Sequence, residues 1–220
     1  DAESGVLTMS GSATVQATGS SARVSAQQTV TLGWLSATNV SVVSRSGSIL
    51  SAQSGLTNVS ATALRLVADD AIGASGRHLG TAVGRLSASG AGTDASGVYV
   101  TEADAVSVDT VSVSVTEVGS DAVLSVLRDE SQSDVVSGGD VVLVAGGAVS
   151  LKDGTDVAAS GSVAAQDNTD GVSVKALGGG NVLIETNAGD LAVFSDVLSG
   201  TGHVTLKAAG AIDLGGDVQV

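Results

Sequence analysis

The sequence predicts an all-β fold, a right-handed single-stranded parallel β-helix (solenoid) with about three strands per turn of roughly 19–22 residues. Three observations predict it. Hydrophobic residues make up 43% of the chain but aromatic residues only 1%. There is no proline in 220 residues. Short apolar alternations recur at nearly constant spacing between turns rich in Gly and Asp, which is typical of a solenoid.

The composition suits a narrow, repetitive interior. A compact globular core draws much of its buried area from aromatic side chains, and Val, Ala, Leu and Ile supply the apolar content here instead. Val, Ile and Thr favour strands. Proline removes a ladder donor, so its absence fits strands that are paired on both edges.

The spacing of the apolar runs is clearest after about residue 138 and predicts the length of a turn. One strand family repeats at steps of 21, 19 and 22 residues, and two further families each show a step of 21. Three families that share one period indicate three strands per turn. The members are Val142, Val163, Val182 and Val204; Leu191 and Ile212; and Val197 and Val218. Runs at 156–159 and 162–165 are interpreted as strands of the same series.

The first half of the chain carries a looser version of this pattern. The phrase Thr-Asn-Val-Ser occurs at 38–41 and again at 57–60, a step of 19 residues, and the longest alternation runs from Ala105 to Val115. Since no shift in composition marks a boundary, residues 1–220 are predicted to form a single continuous segment. The strand-like ending 218–220, which has no polar cap, favours a piece of a longer repetitive chain or a segment that stacks end to end.

The charge excludes several partners. The formal net charge of −14 argues against nucleic acid and against anionic membrane surfaces, both of which need a basic face. No apolar run approaches the length of a membrane span, so membrane insertion is not expected. The absence of Cys removes disulfides and thiolate sites.

Two phrases of the sequence carry a resemblance to a family. Residues 138–151 (GGDVVLVAGGAVSL) and 206–215 (LKAAGAIDLG) resemble the repeats of filamentous haemagglutinin-like adhesins. Residues 66–73 (LVADDAIG), followed by 79–88 (LGTAVGRLSA), are similar to a phrase in giant repetitive bacterial exoproteins. The resemblance implies a right-handed β-helix, export by a bacterium, and roles in adhesion, biofilm or fibre formation.

Sequence patterns of catalysis are lacking. The chain has no phosphate-binding loop and no Gly-x-Ser-x-Gly turn, and its two histidines, His78 and His203, are 125 positions apart. His203 opens a strand at a turn, where a solvated side chain is expected. Neither a catalytic residue nor a cofactor is therefore predicted.

The best candidates for a ligand are four acidic residues in turns. Asp153, Asp156, Asp167 and Asp170 offer clustered oxygens of the kind that Ca²⁺ prefers. Turns stabilised by Asp and Asn side chains explain the same residues without a metal, and this interpretation is favoured. Asp69-Asp70 and Asp129-Glu130 are interpreted as solvated charges.

The leading expectation for function is a non-enzymatic structural segment of a secreted bacterial surface filament or adhesin. It would act as a rigid stalk or self-assembling fibre in cell-surface attachment, biofilm or matrix. The expected partners are further copies or segments of the same protein, stacked end to end or laterally, and host-cell or matrix polysaccharide. Two alternatives stay open: a sheath or surface-layer building block, and a polysaccharide-active β-helix enzyme.

Overall fold

The computed structural model of the protein describes residues 1–93, 96–155 and 171–220. Within these residues the chain is all-β and contains no helix, so none is available that could cross a membrane. The strands of the first half are β1 (Leu7–Thr8), β2 (Thr14–Ala26), β3 (Val30–Leu32), β4 (Trp34–Ser44), β5 (Ile49–Ser51), β6 (Val59–Ala68), β7 (Leu79–Gly90), β8 (Val98–Glu102), β9 (Val106–Val108), β10 (Ser114–Val118) and β11 (Leu124–Arg128). Those of the second half are β12 (Val135–Ser137), β13 (Val141–Ala145), β14 (Val149–Leu151), β15 (Val172–Ala176), β16 (Val182–Thr186), β17 (Leu191–Val193), β18 (Asp196–Ser199), β19 (Val204–Ala208) and β20 (Ile212–Leu214).

Apart from one antiparallel hairpin, β10–β11, the named strands pair in parallel, each with its equivalent one repeat away in the chain. One column of paired apolar residues runs through the whole described structure, and we call each segment that begins at one of its members a layer. The members that begin layers 1 to 8 are Leu7, Val30, Ile49, Ile72, Val98, Val141, Val182 and Val204. This stack of parallel layers is consistent with a β-solenoid.

Side chains alternate between the inside and the outside of the stack. In β13, Val141, Leu143 and Ala145 are buried, whereas Val142 and Val144 between them are half-buried and face outward. This period of two is the property of strands that the sequence pattern predicted. The inward residues form one continuous apolar cluster from Met9 to Val197, onto which Val204 and Leu206 of layer 8 also pack.

Two layers are longer than the others. Val98 and Val141 are in register although 43 residues separate them, and Val141 and Val182 are in register across 41 residues. In layer 5 the extra length is an excursion at 109–134 that carries the β10–β11 hairpin, after which β12 returns to pair with β7. Layer 6 contains residues 156–170, which lie outside the described residues.

The hairpin is tied back against the first layers by a half-buried ion pair. The Arg23 Nε lies 3.1 Å from Asp129 Oδ1, and Arg23 also contacts Asp1 at 3.0 Å. Val111 and Val113 pack on Ala63, so that the root of the excursion is buried as well. Asp129 is therefore not the solvated charge that the sequence suggested.

Some registers predicted from spacing are confirmed and others are wrong. Val182 pairs with Val204 and Leu191 pairs with Ile212, as the spacing predicted. Val142, however, pairs directly with Leu183. The predicted register of Val142 with Val182 is therefore off by one residue, while Val163 and the runs at 156–159 and 162–165 lie outside the described residues.

Two further predicted steps are also out of register. Val197 donates its backbone amide to Gln219 O, so Val218 is not its hydrogen-bonding partner. The repeated phrase at 38–41 and 57–60 does not stack on itself either. Val40 pairs with Leu64 and Val59 pairs with Leu35, because layers 2 and 3 differ in the lengths of their corners.

Candidate functional site

An open cleft of about 350 Å³ lies on the outside of layers 3 to 5. One wall is the loop at 54–57 of layer 3, the other is the turn at 75–78 of layer 4, and Gly80 and Thr101 contribute to the floor. The two walls are about twenty positions apart in sequence, and the parallel pairing of β6 with β7 brings them together. The cleft is thus a product of stacking and not of any local motif.

The second wall is a tight two-residue turn. Ala74 and Arg77 exchange both backbone hydrogen bonds, at 3.0 and 2.9 Å, so that Ser75 and Gly76 form the tip. Gly73 enters the turn at φ +70°, a conformation that side chains other than hydrogen rarely adopt. Arg77 Nη1 donates to Ser51 O at 3.3 Å, and this hydrogen bond connects the turn to layer 3.

His78 lies at the junction of the cleft and the stack. Its Nδ1 is 2.9 Å from the Thr101 hydroxyl, and its ring centroid is 5.8 Å from that of Tyr99. Burial lowers the pKa of His78 below its usual value, so the imidazole is neutral at neutral pH. Neutral His78 keeps one ring nitrogen as a donor and one as an acceptor.

Tyr99 connects this junction to an outer row of polar side chains. Its hydroxyl donates to Asp140 Oδ2 at 3.0 Å, and burial, together with this hydrogen bond, raises the pKa of Tyr99 to about 12. Asp140 Oδ1 accepts from the backbone amide of Asn181 at 2.8 Å, and Asn181 Oδ1 accepts from that of His203 at 3.0 Å. The row ties successive layers together at one corner, while His203 itself is exposed, as the sequence predicted.

The contact between His78 and Thr101 pairs a hydroxyl, which can act as a nucleophile, with an imidazole, which can act as a base. Nucleophilic catalysis also needs a third group that orients the base. Among the described residues, no carboxylate hydrogen-bonds to the His78 ring; its one side-chain partner is Thr101. Within the described part of the chain, the contact thus supplies two of the three groups of such a triad.

The carboxylate of Glu102 is buried inside the stack. The Glu102 side chain is 1% exposed, and its carboxylate accepts from the Thr81 hydroxyl at 2.7 Å and from the backbone amides of Val83 and Ala103 at 3.0 and 2.9 Å. Burial, together with a side-chain hydrogen bond with Asp104, raises the pKa of Glu102 above its usual value. This outweighs the lowering by the Thr81 hydroxyl and by the backbone amides of Val83 and Asp104. In the next layer, Ala145 occupies the inward position that is paired with Glu102.

The acidic turn residues proposed for Ca²⁺ are only partly described. Asp153 lies in the loop after β14, next to Gly154, which has φ +74°. Asp156, Asp167 and Asp170 lie outside the described residues. Within the described part of the chain, no group of three or more His, Asp or Glu side chains converges on a point where a metal ion would fit.

Sequence reasoning did not find the cleft, Glu102 or the role of Asp70. Asp70 is half-buried and accepts hydrogen bonds from Ser48 at 2.8 Å and Ser96 at 2.5 Å, so it is not a solvated charge. One signal was present for Glu102, a lone carboxylate at an inward position of a strand that otherwise reads Val-Tyr-Val-Thr. The cleft had no such signal, since its residues meet only through the register of three layers.

No family model matches the chain, no curated protein matches it, and no solved structure matches it.

Proposed function

We propose that the chain is a structural segment of a secreted bacterial surface filament or adhesin. In this proposal the layers wind as a right-handed parallel β-helix with about three strands per turn, and the helix serves as a rigid stalk. The proposal builds on the all-β, parallel stack and on the sequence resemblance given above.

The observation that carries the proposal is the unbroken apolar column from Leu7 to Val204. Its members in layers 2 to 7 are at most 1% exposed, and each is paired with a residue of the layer before and of the layer after it. In such a stack, each layer mainly contacts its neighbours, so length can be added without changing the core. A linear element of this kind suits a spacer better than a compact site.

The right hand follows from a general rule. Connections between parallel strands of the same sheet are right-handed in about 98% of cases, because strand twist makes only that path pack well. An experimental map at a resolution that fixes the hand of the backbone would test this point, and a left-handed winding would overturn it.

The ends of the stack support assembly. In the last layer Ile212 and Leu214, which continue inward columns, are 44% and 52% exposed, and in the first layer Val15 is 44% exposed. An open strand edge with an apolar column is a template for a further strand. End-to-end contact between copies, or with a further segment of the same protein, would cover both surfaces.

Sedimentation of the purified chain at increasing concentration tests end-to-end contact. We expect concentration-dependent elongated oligomers from the wild type. Leu214→Lys, at the last layer, should remain monomeric because a charge replaces an apolar contact. Val126→Lys, on the hairpin, is the matched control and should assemble as the wild type does. A wild type that stays monomeric throughout would overturn the stacking proposal.

Location is tested separately, on cells that produce the protein. Antibodies raised against the purified chain should label intact cells, since a filament or adhesin projects from the surface. Labelling that appears only after lysis would overturn the proposal of a secreted surface protein.

A sheath or surface-layer building block is the second candidate, favoured by one observation. The outward face of the β10–β11 hairpin exposes Val118, Leu124 and Val126 at 66%, 65% and 59%, which gives the stack an apolar surface on its side. Sheet-like arrays in the electron microscope, abolished by Val126→Lys but not by Leu214→Lys, would favour this candidate over the stalk.

A further inference from the structure

The cleft on layers 3 to 5 differs in charge from the rest of the molecule. The chain carries 23 acidic residues against 9 basic ones, yet the described residues that line this cleft include the cation Arg77 and no Asp or Glu. A local cationic group in an otherwise acidic surface concentrates anions at that point. An anionic ligand in this cleft would therefore meet a cation and no carboxylate among the lining residues.

Arg77 is positioned to receive such a ligand. Its side chain is exposed, and the single hydrogen bond to Ser51 O uses only one of the five donors of the guanidinium. Among the described residues, Arg77 forms no ion pair, whereas Arg23, Lys152 and Lys207 each contact a carboxylate. The planar fork of Arg matches the two oxygens of a carboxylate.

The rest of the cleft favours a ligand with hydroxyl groups. The hydroxyls of Ser54, Thr57, Ser75 and Thr101 line its walls and floor, together with the apolar side chain of Leu56. Hydroxyls alternating with aliphatic carbon complement a sugar ring, which has both polar edges and apolar faces. Neutral His78, held at its Nδ1 by Thr101, adds a second fixed polar group.

We propose that this cleft binds an acidic saccharide through a hexuronate unit. The sugar carboxylate lies against the Arg77 guanidinium, and the ring hydroxyls contact the Ser, Thr and His78 side chains. A volume of about 350 Å³ is at the lower end of the range for small-molecule sites and fits a short saccharide. The open shape allows the polymer to continue along the surface. The site is independent of the stack ends, so either proposal can fail without the other.

Binding is tested by titrating the full chain, labelled with ¹⁵N, with a galacturonate trimer while amide chemical shifts are recorded. A galactose trimer is the matched neutral ligand, and acetate supplies the carboxylate without the sugar. We expect saturable shifts for the galacturonate trimer at Arg77, His78 and Thr101, and much weaker binding of the galactose trimer and of acetate.

Two variants with an altered arginine separate the cleft from general charge. Arg77→Gln should weaken binding roughly tenfold or more, because a hydrogen bond to a charged group contributes about 1.5–3 kcal/mol. Arg45→Gln, at an exposed arginine on another corner, should bind as the wild type does. Spectra of the free variants show whether each remains folded.

Several outcomes would overturn the proposal. They are no saturable binding by the wild type, equal binding of the galactose trimer or of acetate, shifts that map away from the cleft, and equal loss of binding in Arg77→Gln and Arg45→Gln.

Discussion

The carboxylate of Glu102 accepts a 2.7 Å hydrogen bond from the hydroxyl of Thr81, which lies one layer earlier in the same inward column. A charged group in such a position loses its hydration, and only hydrogen bonds can compensate for the loss. Backbone amides of Val83 and Ala103 supply further donors, so Glu102 fixes the corner where β8 ends. The interior of the stack is thus not purely apolar.

Glu102 should make stability depend on pH in a distinctive way. Because burial raises its pKa above the usual 4.5, the folded state binds the proton more tightly than the unfolded state does. This contribution to stability is fully present below pH 4.5 and is lost as the pH rises through the folded pKa. Thermal unfolding across this range should show the wild type losing stability relative to Glu102→Gln as the pH increases.

Glu117→Gln is the control for this experiment, since Glu117 is exposed on the hairpin. The difference in melting temperature between it and the wild type should change little with pH. A wild type that gains stability relative to Glu102→Gln as the pH rises would mean that hydrogen bonding to the carboxylate, and not burial, dominates the pKa.

The alternation of inward and outward side chains predicts that alanine substitutions at two neighbouring residues will change the free energy of unfolding by very different amounts. Ile184 is fully buried, whereas Leu183 beside it faces outward and is half-buried. Ile184→Ala should lower the free energy of unfolding by about 2–5 kcal/mol, because it removes buried methyl groups and leaves a cavity. Leu183→Ala should cost about 1 kcal/mol or less. Urea unfolding followed by circular dichroism measures both, and equal losses would show that the register is wrong.

The sequence allowed the fold class to be predicted but only some of the registers. Alternation and spacing identified the pairs Val182–Val204 and Leu191–Ile212, whose members are 22 and 21 positions apart. They failed where corners of unequal length shift the register, as between Val40 and Val59, and they mistook the alternation within the excursion at 109–134 for a strand of the stack. Val111 and Val113 alternate as regularly as core strands do, yet they pack on Ala63 outside the main core.

The candidate site was less predictable than the fold, for a physical reason. Arg77 approaches Ser51, and His78 approaches Thr101, only because layers of unequal length stack in one particular register. Local patterns specify strands and turns, whereas the corners decide which side chains meet across layers. Identical phrases at 38–41 and 57–60 illustrate this, since they occupy different positions in their layers.

Close stacking at Gly80 should make this residue intolerant of a side chain. A Cβ at this position would collide with the backbone carbonyl oxygen of Leu56 in the layer before it, and backbone cannot move aside cheaply. Gly76, at the exposed tip of the nearby turn, has no neighbour within 4 Å of such a Cβ. We expect Gly80→Ala to lower the melting temperature clearly and Gly76→Ala to leave it nearly unchanged. Similar melting temperatures for the two variants would contradict this close approach.

The ion pair between Arg23 and Asp129 should decide whether the β10–β11 hairpin stays docked. The side chains of Arg23 and Asp129 are only 9% and 11% exposed, so neutralising Asp129 removes one of the two carboxylates that pair with the poorly solvated Arg23 and leaves Asp1 as the other. Arg65 also lies near Asp129. Burial lowers the pKa of Arg65, and the charge of Asp129 partly offsets this lowering. In Asp129→Asn, Arg65 would therefore lose this favourable charge as well. Asp129→Asn should therefore weaken hairpin docking by about 1–3 kcal/mol.

Hydrogen exchange followed by mass spectrometry measures this effect by region. Amides at 114–128 should exchange faster in Asp129→Asn, while those of β16 and β19 in the distant layers 7 and 8 keep the wild-type rate, because layers mainly stabilise their neighbours. Glu130→Gln is the matched control, since Glu130 is exposed and next in the chain. Faster exchange in both variants would mean that the effect comes from net charge. Unchanged exchange in Asp129→Asn would mean that the packing of Val111 and Val113 alone holds the hairpin.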